Sequence, residues 1–281
     1  MKKCFPIIFL ALMVLVPKSV FGYSVSPGII DLESELGGVI QGQFSVINSS
    51  DIDETLYLST KSFSASENDG VPEFGEASSI NEFANWITFE SSSFQAVSHS
   101  KTEMPFTVTV PGTAPAGGYY AAILVSQAPS EIVATNGATI HATIAILCFL
   151  TVNGDSVESL EILSVDSSFD GISSTLSGDI SLTVQNQGTI HMVPDGEVVV
   201  EDVFGRQIYT KEINETSGRI LPASKRTFSV SYLENEVGGY WSQIKQQANT
   251  LAIGPISVTS KIVYGSENNE IYGAITPIPT I

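Results

Sequence analysis

Few residues in this sequence have the chemistry that catalysis or metal binding requires. The three histidines, His99, His141 and His191, lie far apart, and no His-x-x-x-His or Cys-x-x-Cys spacing indicates a zinc site. The chain has neither a Gly-x-Ser-x-Gly nucleophile elbow nor a phosphate-binding Gly-x-x-x-x-Gly-Lys-Ser/Thr loop. Cys148 stands inside an apolar run, which predicts a buried, inert thiol. We therefore predict that the protein is not an enzyme; a carbohydrate-active enzyme with two dispersed carboxylates is a remote alternative.

Calcium is the only cofactor that the acidic residues suggest. Asp51, Asp53 and Glu54 cluster in a turn between two predicted strands, and a second acidic segment is Glu67–Gly70. Carboxylate oxygens in loops suit Ca²⁺, although neither segment has the spacing of an EF-hand. The alternative is that these residues are solvated turn residues with no ligand.

Two adjacent tyrosines are the candidates for binding a ligand. Tyr119 and Tyr120 follow the turn Ala114–Gly118, whose Pro and Gly residues fix the direction of the next strand. Exposed tyrosine rings could stack on sugar rings. Side chains alternate along a strand, so we expect at least one of the two to point into the core.

The elements that must position these residues are β-strands. Apolar and polar residues alternate strictly in Phe106–Val110, as in a half-buried strand, whereas Ile144–Leu150 is apolar throughout and predicts a central strand with both faces covered. The predicted strands are Val39–Asn48, Thr55–Phe63, Trp86–Phe89, Met104–Val110, Tyr119–Ser126, Thr139–Val152, Val157–Val165, Asp179–Asn186, Glu197–Val203, Gln207–Ile213, Arg226–Tyr232 and Ile256–Tyr264. Only Tyr240–Ala248 has helical character, and Ser64–Asn85 is predicted to be a long loop.

The rhythm of strands and turns repeats after residue 155. Six or seven short strands in each half are typical of a β-sandwich. We predict an all-β fold with two tandem immunoglobulin-like β-sandwich domains, at residues 23–155 and 156–270, followed by a Pro-containing tail at 271–281. A single large barrel is the alternative.

The first residues predict export. Met1–Lys3 is a short basic segment, Cys4–Val16 is an apolar run too short to span a bilayer comfortably, and small residues precede a cleavage position at Tyr23. Residues 1–22 are therefore interpreted as a signal peptide, with an uncleaved anchor as the alternative. We expect an exported protein, extracellular or in the cell envelope, with Cys148 as its one remaining cysteine and no internal disulfide.

The charge of the chain excludes several classes of partner. Asp and Glu number 30 and Lys and Arg 12, which gives a net charge of −18, and cleavage would remove three of the lysines. Such a chain lacks the cations that bind nucleic acid or an anionic membrane. Its acidic exterior favours a basic protein partner over an anionic one. Nothing in the pattern indicates an oligomeric state.

Several segments resemble the WxL-interacting proteins of bacterial cell surfaces, which pair a peptidoglycan-binding domain with a host-binding domain. The segments that carry the resemblance are Phe44–Ser50, Trp86–Ile87, Val110–Ile123, Ile140–Gly154, Asn186–Gly196, Asp202–Gly205 and Leu221–Arg226. Members of that family usually continue into a transmembrane helix and a basic tail. This sequence ends in the Pro-rich Thr276–Ile281, so its anchoring is left open.

The resemblance implies a secreted, non-catalytic adhesion or scaffold protein that binds peptidoglycan or another surface protein. The alternative is a periplasmic chaperone-like or surface-assembly subunit that acts by β-strand addition. Such a subunit needs a cation for the chain end of its client, and the first domain contains only Lys61 and Lys101.

Overall fold

The computed structural model describes residues 22–66, 71–75, 82–129, 142–169, 178–232 and 256–278. Strands hold 64% of these residues and helix only 2%, so the predicted all-β fold is confirmed. The signal-peptide prediction, except Gly22, and the predicted helix Tyr240–Ala248 lie outside the described residues. In the part of the chain that the structure describes, no helix is long and apolar enough to cross a membrane.

The first half of the chain forms two facing sheets. Its elements are β1 (Tyr23–Ser26), β2 (Ile29–Ser34), β3 (Val39–Asn48), β4 (Glu54–Ala65), β5 (Pro72–Phe74), α1 (Phe83–Trp86), β6 (Ile87–Thr88), β7 (Ser93–Ala96), β8 (Ser100–Thr109), β9 (Gly117–Ser126) and β10 (Thr143–Val152). One sheet has the order β1-β3-β8-β6, and the other has the order β2-β10-β9-β4-β5, with β7 also pairing with β4. Side chains from both inner faces, such as Phe44, Leu56, Ile123 and Leu150, fill the core between the sheets.

The second half repeats this architecture with seven strands. They are β11 (Leu160–Phe169), β12 (Gly178–Asn186), β13 (Asp195–Glu201), β14 (Gln207–Ile213), β15 (Lys225–Tyr232), β16 (Ile256–Tyr264) and β17 (Asn269–Ile278). The sheet β11-β12-β15 faces the sheet β14-β13-β16-β17. Ile180, Leu182, Val200 and Ile262 are among the side chains buried between them.

The structure corrects the predicted C-terminal tail. Residues 269–278 form β17, which pairs antiparallel with β16, so the second sandwich continues past residue 270. Gly273 makes this strand difficult to predict from the sequence, because glycine is unfavourable in a strand interior. Here a Cβ at Gly273 would lie 2.7 Å from the Val165 side chain, so the absence of a side chain allows close packing.

The strand predicted at Trp86–Phe89 is also corrected. Trp86 ends a single helical turn, and only Ile87 and Thr88 pair with β8. The reason is packing: Phe83 and Trp86 lie on one side of the turn and are both buried in the first core. The described parts of the predicted loop Ser64–Asn85 hold the end of β4, β5 and most of this turn.

Candidate functional site: the cleft between the two domains

The outer face of the sheet β2-β10-β9-β4 is unusually apolar. Cross-strand register aligns Ile29, Leu147, Ala122 and Lys61 in one row of this face. A neighbouring row contains Asp31, Phe149 and Tyr120, and the ring of Phe63 continues it. The even-numbered residues of β10 fill the core instead, which explains why Ile144–Leu150 is apolar throughout. We call this outer face the cleft floor.

The second domain covers one row of the cleft floor. Leu221 packs into the apolar cluster of Phe63, Tyr120 and Phe149. The Cζ atom of Arg219 lies 4.7 Å from the centroid of the Phe149 ring. These contacts are apolar and cation–π in character, and they hold the two sandwiches together at what we call the junction.

Polar contacts also cross the junction. Nη2 of Arg219 lies 2.5 Å from Oδ2 of Asp31, and the Gly118 N–H donates to the Thr189 carbonyl at 2.9 Å. A Cβ at Gly118 would lie 3.3 Å from the Cα of Ile190, so glycine permits this close approach of the two backbones. The junction is therefore closely packed and has a defined geometry.

His191 is the titratable residue at the centre of the junction. Its ring centroid lies 5.0 Å from that of Phe149 and 5.7 Å from that of Tyr120, and Nε2 is 3.8 Å from Oδ1 of Asp31. Burial lowers the pKa of His191 to about 4; Asp31 opposes this shift, and Arg219 adds to it. The ring is therefore neutral at pH 7.

Beside the junction the cleft contains a cavity of about 200 Å³. Apolar residues of the first domain form one side of it, including Ile29, Phe63, Leu147 and Phe149. The second domain supplies Thr216–Arg219, Leu221 and Arg226 to the other side. An apolar floor below hydroxyl and guanidinium groups suits a ligand that has an apolar part next to a negatively charged group.

The charge of the cleft is opposite to that of the whole chain. Five described cations pair with carboxylates: Lys101, Arg206, Lys211, Arg219 and Lys261. Among the residues that the structure describes, Lys61, Lys225 and Arg226 have no ion pair. Lys61 lies at the edge of the cleft floor, and Arg226 lines the cavity. The expectation of a basic partner, drawn from the net charge, therefore does not describe the local chemistry of the cleft.

Along one edge of the cleft floor, backbone groups have no strand partner among the described residues. β2 pairs in parallel with Leu147–Val152 of β10, and the Leu147 N–H donates to the Gly28 carbonyl. Alternate residues of a strand direct their backbone groups to the same side, so Ala145 and Thr143 direct theirs beyond the end of β2. No strand within the described residues pairs with Thr143–Ile146 on that side. This free edge can accept an added strand.

Comparison with known proteins gives similarity at the level of structure. No family model matches the chain, and no curated protein matches it. The solved class 5 fimbriae chaperone CfaA is similar at a TM-score of 0.46 and 11% identity, over 92% of this chain and 100% of that one. The Escherichia coli chaperone DraB gives a TM-score of 0.41 at 12% identity, over 91% and 97% of the two chains. A chain from the complex of the Salmonella enterica SafA pilin with the SafB chaperone gives 0.42 at 12%, also over 91% and 97%.

The structure places both candidate tyrosines in the interior. Tyr119 and Tyr120 are each 7% exposed, so neither offers an open ring face to a sugar. Tyr119 lies in the first core, where its hydroxyl donates to the Pro115 carbonyl at 2.6 Å and its ring lies 4.7 Å from that of Trp86. Tyr120 lies on the cleft floor under the second domain. The two residues serve packing on opposite faces of β9.

The three calcium candidates turn toward different partners. Asp51 lies 2.8 Å from Nε2 of His99, Asp53 accepts the Ser98 N–H, and Glu54 accepts a bond from Gln127. Across the described ranges, no group of three or more His, Cys, Asp or Glu side chains is placed to hold a metal ion. His141 lies outside these ranges.

Sequence reasoning missed the cleft because its parts come from distant segments. The first domain offers only Lys61 and Lys101 as anchoring cations, whereas Arg219 and Arg226 reach the cleft from the second domain. The motif Leu221–Arg226 is one signal in the sequence, because it ends at one of these arginines. Its meaning depends on how the two domains pack.

Proposed function

We propose that the protein is a non-catalytic cell-envelope protein that binds an extended segment of another surface protein by adding it as a strand to β10. The free backbone edge at Thr143–Ile146 carries this proposal. Backbone hydrogen bonds to that edge would supply affinity, and the neighbouring cleft would select side chains. This is the chaperone-like or surface-assembly alternative from the sequence.

The cleft indicates which segments would fit. Ile29 is 42% exposed although it lies on the cleft floor, so apolar surface is available beside the free edge. Lys61 and Arg226 are cations without carboxylate partners in the described structure. A segment with alternating apolar residues and at least one acidic group would match both features.

The test replaces one backbone donor at the free edge. Peptides that bind the purified protein would be selected from a displayed library of random decapeptides. The affinity of each selected peptide would then be measured for the parent protein and for Ala145→Pro. The ring of proline removes the N–H that faces the free edge but leaves the hydrogen bonds to β9, which are made by the even-numbered residues. Ala145→Thr is the matched control, because it keeps the N–H.

We expect Ala145→Pro to weaken binding at least tenfold and Ala145→Thr to leave it within about twofold, since one or two backbone hydrogen bonds contribute about 1–3 kcal/mol. Equal binding to both variants would rule out strand addition at this edge.

Wall-polymer binding and membership of the WxL-interacting proteins stay predictions from the sequence. No contact in the described structure favours them, and the two tyrosines proposed for sugar stacking are buried. Recovery on purified peptidoglycan, compared with a column without it, would test wall binding directly.

A further inference from the structure

The contact between the two domains includes a buried histidine. The side chain of His191 is only 12% exposed and packs against Phe149 and Tyr120 of the first domain. Its Nδ1 atom is buried and has no hydrogen-bond partner. The ring therefore occupies an apolar position in which a neutral side chain is favoured over a charged one.

The charged groups around His191 offset only part of the penalty that burial places on a proton there. Among the described residues, Asp31 on β2 is the carboxylate that faces the ring, and it already accepts the guanidinium of Arg219. Arg219, between β14 and β15, places its positive charge on the same Phe149 ring. Tyr120 on β9 stays neutral, because burial raises its pKa. A charged His191 would share one carboxylate with an arginine and face that cation.

We propose that His191 makes the junction acid-sensitive, so that the two domains separate and the cleft opens as the medium becomes acidic. The proposal rests on the geometry of the junction and not on strand addition. If strand addition also holds, acidification would alter the cavity wall that the second domain provides, and so would release the bound segment.

The direction follows from the proton affinities of the two arrangements. In the closed junction the pKa of His191 is lowered from 6.5 to about 4, whereas an exposed ring in the open arrangement keeps the ordinary value. The closed arrangement is fully favoured above pH 6.5 and loses that advantage as the pH falls toward 4. The equilibrium constant for opening should rise about 30-fold between pH 7.5 and pH 5, and about 300-fold at most.

The amide of Gly118 reports the opening directly. Its N–H donates across the junction to the Thr189 carbonyl, whereas the Gln187 N–H donates to Ser159 within the second domain. Hydrogen exchange at these two amides would be measured by NMR from pH 7.5 to 5 and divided by the intrinsic rate at each pH. The comparison separates opening of the junction from general loosening of the second domain.

We expect the protection of Gly118 to fall about 30-fold from pH 7.5 to pH 5 while that of Gln187 stays constant. In His191→Gln, which cannot take up the proton, the protection of Gly118 should not change with pH. His99→Gln is the matched control, because this exposed histidine lies outside the junction, and it should behave as the parent protein does.

A second readout covers the case in which His191→Gln does not fold. The imidazole resonances of His191 in the unmodified protein should titrate well below pH 6.5. Constant Gly118 protection in the parent protein, or titration of His191 near pH 6.5, would overturn the proposal.

Discussion

Arg219 and Phe149 join the two domains, with the guanidinium carbon 4.7 Å from the centre of the ring. The same guanidinium pairs with Asp31, so one side chain contacts two strands of the opposite domain. The planar, permanently charged guanidinium of arginine suits both contacts. This side chain therefore helps to fix the relative position of the domains, together with Leu221 and His191.

Replacing Arg219 should loosen the junction without unfolding either domain. In Arg219→Leu the cation–π contact and the ion pair are lost, but Asp31 stays partly exposed and so remains hydrated. We expect the closed arrangement to lose about 2 kcal/mol, which corresponds to about a 30-fold fall in the protection of the Gly118 amide. Lys101→Leu, which removes an exposed pair with Glu103, should leave that protection unchanged.

The hydrogen bond of the Tyr119 hydroxyl should contribute to the stability of the first domain. Its hydrogen bond to the Pro115 carbonyl is 2.6 Å long and fixes the turn before β9. Tyr119→Phe removes the bond and leaves the carbonyl with one partner fewer, so the free energy of unfolding should fall by about 1 kcal/mol in urea titrations. Tyr272→Phe, at an exposed tyrosine on β17, should change it by less than about 0.5 kcal/mol. An unchanged stability in Tyr119→Phe would show that the hydroxyl has no structural role.

Local patterns in the sequence predicted the strands well where one face meets the core and the other meets water. Val39–Asn48 was predicted with the bounds of β3, because alternation there reports a single buried face. In β10 the same reasoning predicts that both faces are covered. In the structure the core of the first domain covers one face, and the second domain covers only part of the other. Phe149 is covered by the second domain, whereas Leu147 lines the cleft.

The candidate site depended on information that local patterns do not contain. Tyr120 was predicted as a possible sugar contact from its neighbours in the sequence, but His191 and Leu221 pack against it from far along the chain. Net charge likewise averages over the surface. It predicts a basic partner, but it does not reveal that Lys61 at the edge of the cleft floor and Arg226 in the cavity wall have no ion pair among the described residues. Such juxtapositions arise only when the domains pack.

Cys148 should be unreactive in the folded protein. It is fully buried in the first core, and burial raises the pKa of its thiol to about 12, so the thiolate that reacts with disulfide reagents is not formed near neutral pH. In a chain beginning at Tyr23, an aromatic disulfide reagent at pH 8 should label no thiol until denaturant is added. Thr55→Cys, at an exposed position on β4, should be labelled at once in the native state. Rapid labelling of the parent chain would contradict the described packing of β10.

Asp202 should make the turn between β13 and β14 sensitive to acid. Its carboxylate is buried, which opposes ionisation, but it accepts the N–H groups of Arg206 and Phe204 and pairs with the Arg206 side chain. These interactions outweigh burial and lower the pKa of Asp202. The stabilisation is therefore present above the ordinary value and is lost as the pH falls through the lowered one.

We expect Asp202→Asn to lower the melting temperature at pH 7. An amide has only one oxygen, so in either orientation its N–H₂ group faces an N–H donor that a carboxylate oxygen accepts in the parent protein. The difference from the parent protein should shrink as the pH falls through the lowered pKa of Asp202, where the parent carboxylate is itself protonated. Asp166→Asn, at an exposed carboxylate that accepts the Ser164 hydroxyl, is the control and should melt as the parent does at pH 7 and at acidic pH. A melting difference for Asp202→Asn that stays constant with pH would show that the charge of this carboxylate does not stabilise the turn.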